Sequence, residues 1–348
     1  MTGRRSPIGG PAGAAGEALF RAAVALRNGL YDGGVLPVRR LPRPVVSVGN
    51  LSAGGTGKTP VTMELIRELV GAGRRAALLS RGYGRRDERR PLLVPPGRPP
   101  SEGDHLLYGD EPCLYRLRFP DLPILLDRDR VSAGRRAVER HGAEVLLMDD
   151  GMQHRRLHRD LEIVVVPGRD PFGGGRLLPR GLLREPPGAI ARADLVLVNA
   201  TVDPDEDLQR ALDRHGAPED RLLFRLEPES IAGPDGADIP IETLRGRAVL
   251  AVSGIGDPDR FIRTLEEAGA RVAGRLDYPD HHRFRPADYA TIRERVERLG
   301  AIPVTTEKDA ARIDGEERAG CGIHVLRAGV RFLGEGGEII RARLSALF

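Results

Sequence analysis

One stretch narrows the fold more than any other: V-G-N-L-S-A-G-G-T-G-K-T-P at residues 48–60. The apolar run P-V-V-S-V precedes it, and P-V-T-M-E-L-I-R-E-L-V follows with apolar positions at helical spacing. Strand, glycine-rich turn and helix in that order make a phosphate-binding loop, with backbone N–H groups and a helix N-terminus aimed at phosphate oxygens. The loop comprises Ser52, Ala53, Gly54, Gly55, Thr56, Gly57, Lys58 and Thr59. The three glycines admit close backbone approach, Lys58 suits the β- and γ-phosphates, and the Thr59 hydroxyl suits Mg²⁺. Ser52 stands where such loops usually carry their first glycine. Lys58 and Lys308 are the only lysines among 54 basic residues. In a chain so biased to arginine, a lysine marks a place where a compact ammonium serves better than a planar guanidinium.

The rest of the chain reads as α/β. Short apolar strands at 76–80, 123–127, 144–150, 161–166 and 194–199, separated by helices or loops, imply a mostly parallel sheet covered on both faces. A second β/α set runs from A-V-L-A-V-S at 248–253 through helices at 261–269 and 287–299 to strands at 302–306 and 324–328. The expected organisation is a disordered 1–16, a basic and partly apolar helix at 17–43, a P-loop domain at 44–205, a connector at 206–247 and a smaller α/β domain at 248–348. Residues 86–104, charged and proline-rich, are expected to be loop. Net charge is only +4, which gives no argument for nucleic acid. Cys113 and Cys321 match no metal or redox spacing. No run reaches the length of a membrane span, and no signal-peptide pattern is present. Leu19, Ala23, Leu26 and Leu30 share one face of the first helix. That face suits either an anionic membrane surface or packing on the chain's own domain.

Three further motifs carry chemistry, and several basic stretches join them. M-D-D-G-M-Q-H at 148–154 puts Asp149 and Asp150 at a strand end, where carboxylates suit Mg²⁺ beside a nucleotide. In Y-G-D-E-P at 108–112, Asp110 or Glu111 could accept a hydroxyl proton. In P-D-H-H-R-F at 279–284 no Cys or Glu cluster supports zinc, and a histidine orienting a carboxylate is the better reading. Arginines in S-R-G-Y-G-R (80–85), D-R-D-R (127–130) and R-G-L-L-R-E (180–185), with Lys308 in T-T-E-K-D, could clamp phosphates or another anion. After the strand at 194–199, Ala200 follows Asn199 where a guanine-reading box would have lysine, so ATP is expected over GTP.

Taken together these motifs resemble the tetraacyldisaccharide 4′-kinases of lipid A synthesis. The matching stretches are L-R-N-G-L-Y-D (26–32), the loop at 46–60, S-R-G-Y-G-R, G-D-E-P, D-R (129–130), D-D-G-M-Q-H-R-R-L (149–157), L-P-R-G-L-L-R-E-P (178–186), S-G-I-G-D-P (253–258), D-H-H (280–282) and T-E-K-D (306–309). The resemblance implies transfer of the γ-phosphoryl of ATP, with Mg²⁺, to the 4′-hydroxyl of a glycolipid disaccharide 1-phosphate. It implies a P-loop domain joined to a smaller α/β domain, a membrane-contacting first helix, a site on the cytoplasmic face of the inner membrane and no obligate protein partner. It makes Asp110 the catalytic carboxylate, paired with His281 across a cleft, with Lys58 assisting. Thr59, Asp149, Asp150, Gln153 and Glu185 would surround the metal. Lys58, Arg130, His154 and Arg184 would address phosphates or the acceptor, and Arg81 and Lys308, from the reading of the residues themselves, are added to that phosphate and substrate set. Met152 departs from the aromatic residue the family pattern has there. The competing reading is a P-loop ATPase switch of the partitioning or metallochaperone type, whose loops often carry a lysine at the place of Ala53.

Overall fold

The protein is described here from a computed structural model covering residues 10–97, 100–101 and 103–348. It divides into two compact units that interleave along the chain. One holds the described residues up to Arg81, then Pro123–Leu226 and Val330–Phe348; the other holds Gly82–Leu122 and Glu227–Gly329. Gly82–Leu122 therefore belongs with the C-terminal α/β set, although in sequence it interrupts the P-loop set. The last nineteen or so residues return to the P-loop unit.

The P-loop unit is built on a parallel sheet. Its strands lie in the order Arg221–Ala232 (through Leu226), Leu195–Asn199, Leu161–Pro167, Val45–Gly49, Val145–Asp149, Ala76–Ser80, Ile124–Leu126. Every residue of Val45–Gly49, Ala76–Ser80 and Val145–Asp149 is buried, as their mostly apolar runs imply. On one face, Val131, Ala133 and Ala137 of the helix Arg130–His141 pack against Val45, Leu79, Leu146 and Met148. On the other, Val164, Val166, Val196 and Val198 carry Leu51, Met152 and Phe172, closed by Leu208 and Leu212 of the helix Leu208–Arg214. Residues read as connector thus include a packed helix and the long strand Arg221–Ala232.

The first helix spans Gly10–Asp32, so residues 10–16, expected to be disordered, are helical. Residues 1–9 lie outside the described part. The stripe of Leu19 and Leu26 faces outward, 75% and 67% exposed. The inward face instead carries Glu17, Phe20 and Val24. Glu17 can be buried because the Leu177 N–H donates to it at 3.1 Å and Arg21 pairs with it at 2.9 Å, with Arg176 and Arg180 each at 3.8 Å. Among the described residues no helix is long and apolar enough to cross a membrane.

In the second unit the parallel strands run in the order Arg271–Asp277, Ala248–Ser253, Ile302–Thr306, His324–Phe332. Val249, Ala251, Phe261 and Leu265 fill one face, and Leu250, Val252, Tyr289 and Ile292 the other. The segment expected to be loop carries a short strand, Leu92–Val94, and leads to helices Asp104–Tyr108 and Asp110–Arg118; residues 98, 99 and 102 of it lie outside the described part. Arg118 fastens the second helix to the unit, donating to Glu307, to Glu229 at 3.0 Å and to the Ala328 carbonyl at 2.8 Å.

Candidate active site

In the P-loop unit, Gly57 caps the helix Lys58–Gly71 with a φ of 102°, and Gly54 takes a φ of 132°; a side chain would strain either. Gly55 differs, because no heavy atom lies within 4 Å of where its Cβ would stand. The loop is open there to whatever it cradles. Residues 182–184 brace its outer edge: the Ala53 N–H donates to the Leu182 carbonyl and the Arg184 N–H to the Leu51 carbonyl, both at 2.7 Å. Ser52 sits in this antiparallel pairing opposite Leu183. Asn199, weighed for base recognition, braces the loop by donating to the Thr56 carbonyl at 3.1 Å.

Strand register explains why the two aspartates meet this loop. Asp149 pairs with Val48, next to the residue that opens the turn. Asp149 is buried, and Asp150 follows in the left-handed region at φ 53°. Lys58 Nζ stands 3.5 Å from Asp150 Oδ1, and Arg184 Nη1 donates to Oδ2 at 2.6 Å. Burial works to raise the Asp150 pKa, but Lys58 and then Arg184 outweigh it and hold the carboxyl below its ordinary value. Gln153 donates to the Asn50 carbonyl at 3.0 Å, just before the loop. Burial lowers Arg130 to about 10, with Asp150 opposing and Arg81 adding to the fall. Burial likewise lowers His154 to about 4, aided by Arg130, so its imidazole is neutral at pH 7 and could meet a phosphate only as a neutral donor. Glu185 behaves differently from the rest. It is fully buried and accepts from Asn28 and Arg192, each at 2.8 Å, with Arg27 at 3.6 Å, which ties it to the first helix.

The second unit assembles the remaining candidates. Asp110 opens the helix Asp110–Arg118 behind Gly109, whose Cβ would stand 3.0 Å from the Tyr83 carbonyl. His281 lies in the turn after Arg271–Asp277 with a φ of 61°. Its Nδ1 is 2.9 Å from Asp110 Oδ2. The sequence expectation set this pair across a cleft between domains; both partners belong to the same unit. Between Asp110 and Glu111, the geometry selects Asp110 as the histidine's partner. Arg312, which the sequence reading passed over, donates from Nε to the same Oδ2 at 3.0 Å. Burial works to raise the Asp110 pKa, but the Arg312 charge and the His281 hydrogen bond outweigh it, so the carboxyl is lowered and ionised at neutral pH. An ionised carboxylate only accepts, so His281 Nδ1 carries the proton; the Arg312 Nη2 contact to that nitrogen, at 3.4 Å, is then no hydrogen bond. Lys308 is exposed beside two carboxylates already taken, Glu307 by Arg118 and Asp309 by Arg312. His282 binds Asp288 at 2.9 Å and stacks on Tyr278, a role in packing. A hint of Arg312 existed in the sequence, since it stands three residues after Asp309, the spacing at which helical charges meet.

A family model described as tetraacyldisaccharide-1-P 4′-kinase matches residues 14–345. The chain belongs to this family. A tetraacyldisaccharide 4′-kinase from Anaeromyxobacter dehalogenans (strain 2CP-C) is 44% identical over 359 aligned positions, covering 98% of this chain and 92% of the relative. One of the same name from Chromobacterium violaceum is 41% identical, covering 85% and 82%. Among solved structures, LpxK from Aquifex aeolicus, crystallised in complex with ATP, matches with a TM-score of 0.77 and 32% identity, covering 95% of this chain and 97% of that one. Membership fixes the chemistry as that of a kinase with a P-loop and a mostly parallel sheet, and the partitioning-type switch is not favoured.

For a kinase of this family the oxygen donors present fit Mg²⁺. Among the described residues no three His, Cys, Asp or Glu side chains gather as a closed cage. Mg²⁺ is ordinarily bound through one or two carboxylates together with substrate phosphates and waters. Asp149 and Asp150 stand at the end of the strand beside the one that opens into the loop, and Thr59 lies in the first turn of the helix that leaves the loop; oxygen donors of this kind would suit that pattern.

Proposed function

We propose that this chain transfers the γ-phosphoryl group of ATP, with Mg²⁺, to the 4′-hydroxyl of a tetraacyldisaccharide 1-phosphate, a step of lipid A synthesis. It works peripherally on the cytoplasmic face of a Gram-negative inner membrane and needs no obligate protein partner. The loop from Ser52 to Thr59 cradles the triphosphate, and Lys58 leaves Asp150 to meet the β- and γ-phosphates. Thr59, Asp149 and Asp150 hold Mg²⁺, which would offset charge on the transferring group. Gln153 orients this cluster and Glu185 supports it from behind. Arg81, Arg130, His154 and Arg184 address phosphate oxygens. Asp110 accepts the hydroxyl proton as the new oxygen–phosphorus bond forms and ADP departs, while His281 holds the carboxylate in place.

The observation that carries this reading is the Asp110–His281 pair at 2.9 Å. A neutral hydroxyl is a poor nucleophile, so phosphorylating a sugar calls for a positioned base, whereas a nucleotide switch has no alcohol to deprotonate. Membrane contact is supported by the outward Leu19 and Leu26 and by a groove of about 420 Å³ between the helix's alanines and Arg176 and Arg180. Exposed Lys308 meets an anionic group of the acceptor. The test is incubation with ATP, Mg²⁺ and a disaccharide 1-phosphate lipid, followed by mass analysis for one added phosphate. ATP consumption that is indifferent to the lipid, with no new sugar phosphate, would sink the proposal.

A further inference from the structure

We propose that Arg312 is the positioning residue of the phosphoryl-transfer base: it fixes Asp110 by one carboxylate oxygen and leaves the other for the acceptor hydroxyl. The inference rests on the reading of Asp110 as that base. His281 Nδ1 and Arg312 Nε converge on Oδ2, at 2.9 and 3.0 Å, and among the described residues no donor reaches Oδ1. Two donors on one oxygen set the plane of the carboxylate and hold Oδ1 as the unsatisfied acceptor. The guanidinium is itself immobile. Its Nη1 donates to the Gly254 carbonyl and to Asp309 Oδ1, both at 3.2 Å, and Asp309 is fixed by the Thr306 hydroxyl at 2.7 Å.

Burial separates the roles. The Arg312 side chain is 2% exposed and that of Asp309 is fully enclosed, whereas Asp110 is 30% and His281 63% exposed. Arg312 can touch no substrate, so it acts only through Asp110. Burial raises the Asp309 pKa against the pull of Thr306, the Gly254 N–H and Arg312. The other titratable group facing Asp110 is His105, from the helix Asp104–Tyr108, which burial lowers and so keeps neutral at pH 7; Asp104 and Arg283 lie beyond it. Asp280 stands 4.0 Å from the far nitrogen of His281. A planar fork can join two carboxylates and a carbonyl in one plane, which a lysine cannot.

The test measures kcat against pH for wild type, Asp110→Asn, Arg312→Gln and Arg312→Lys at saturating ATP and lipid, with KM for ATP and thermal unfolding alongside. Asp110 must be ionised to act, so activity falls on the acid side, and losing the neighbouring cation moves that limb toward higher pH. Arg312→Gln is expected to lower kcat about tenfold or more, move the acid limb upward and leave the ATP KM unchanged. Arg312→Lys restores the limb while kcat stays reduced. A wild-type kcat and limb in Arg312→Gln overturn the inference, and if Asp110→Asn is still inactive the reading of the base stands. A fully active Asp110→Asn instead overturns the base itself. Should Arg312→Gln fail to fold, Arg312→Lys decides, and a wild-type kcat in it overturns the role.

Discussion

Gly49→Ala is a single methyl group that should reach the nucleotide site without touching it. Gly49 ends the strand before the phosphate loop, and its backbone is in a region open to alanine. The added Cβ, however, would lie 2.5 Å from Met152 Cβ and 2.8 Å from the Met152 nitrogen. Ordinary contact begins near 3.4 Å, so one of the two backbones must retreat by about 1 Å. Met152 has nowhere to go, since it is fully buried with Leu51, Val164 and Phe172. Overpacking a filled core by one methylene costs about 1–3 kcal/mol, and a clash with backbone on both sides belongs at the upper end, about 3 kcal/mol. Any relief carries along Asp150, two residues before Met152, which holds Lys58 and Arg184. Urea unfolding followed by circular dichroism should show that loss, and calorimetric titration should show weaker ATP binding. Unchanged stability together with unchanged ATP affinity would refute the claim that this contact sets the position of the aspartate turn.

Gly55→Ala should do the reverse: with open space at its Cβ, unfolding should match wild type while ATP affinity drops about tenfold or more as the methyl meets the phosphates; equal affinity would show that the cradle is elsewhere. Lys308→Ala should raise the KM for the lipid several-fold, as expected for one exposed charge contact, and leave the KM for ATP alone; a change confined to ATP would move this lysine to the other substrate. Leu19→Asp with Leu26→Asp, both at exposed positions, should leave the fold intact and weaken binding to anionic vesicles about a hundredfold, from about 3 kcal/mol of lost burial; unaltered sedimentation with vesicles would remove the helix from the membrane contact. Asn28→Ala deletes the 2.8 Å donor to fully buried Glu185, and should cost about 1–3 kcal/mol in urea unfolding; a neutral result would mean that Arg192 and Arg27 satisfy that carboxylate between them.

What could be read from sequence follows from how far each interaction reaches along the chain. The strands at 45–49, 76–80, 145–149, 161–167 and 195–199 were legible because burial on both faces leaves a mostly apolar run, a local signal. The phosphate loop was legible because its chemistry lies within eight residues. The strand Arg271–Asp277 escaped because, at the sheet edge with none of its residues buried, it needs no apolar run. The first helix was misjudged at its start because Gly, Pro and Ala carry no amphipathic pattern, and its buried face holds Glu17, which only Leu177 and distant arginines make tolerable. The base cluster is the extreme case. Asp110, His281 and Arg312 are separated by 171 and 31 residues along the chain and meet because Gly82–Leu122 leaves the P-loop unit for the other. Asp110 and His281 stood out by motif, yet the residue that ionises and aims the carboxylate has no motif of its own. Its carboxylate partners do: the lysine in T-E-K-D drew attention, while Asp309 beside it is the one tied, through Arg312, to the catalytic carboxylate. A buried guanidinium between two carboxylates is visible only once packing has brought both to it, and that is why its loss is the sharper probe of how this site works.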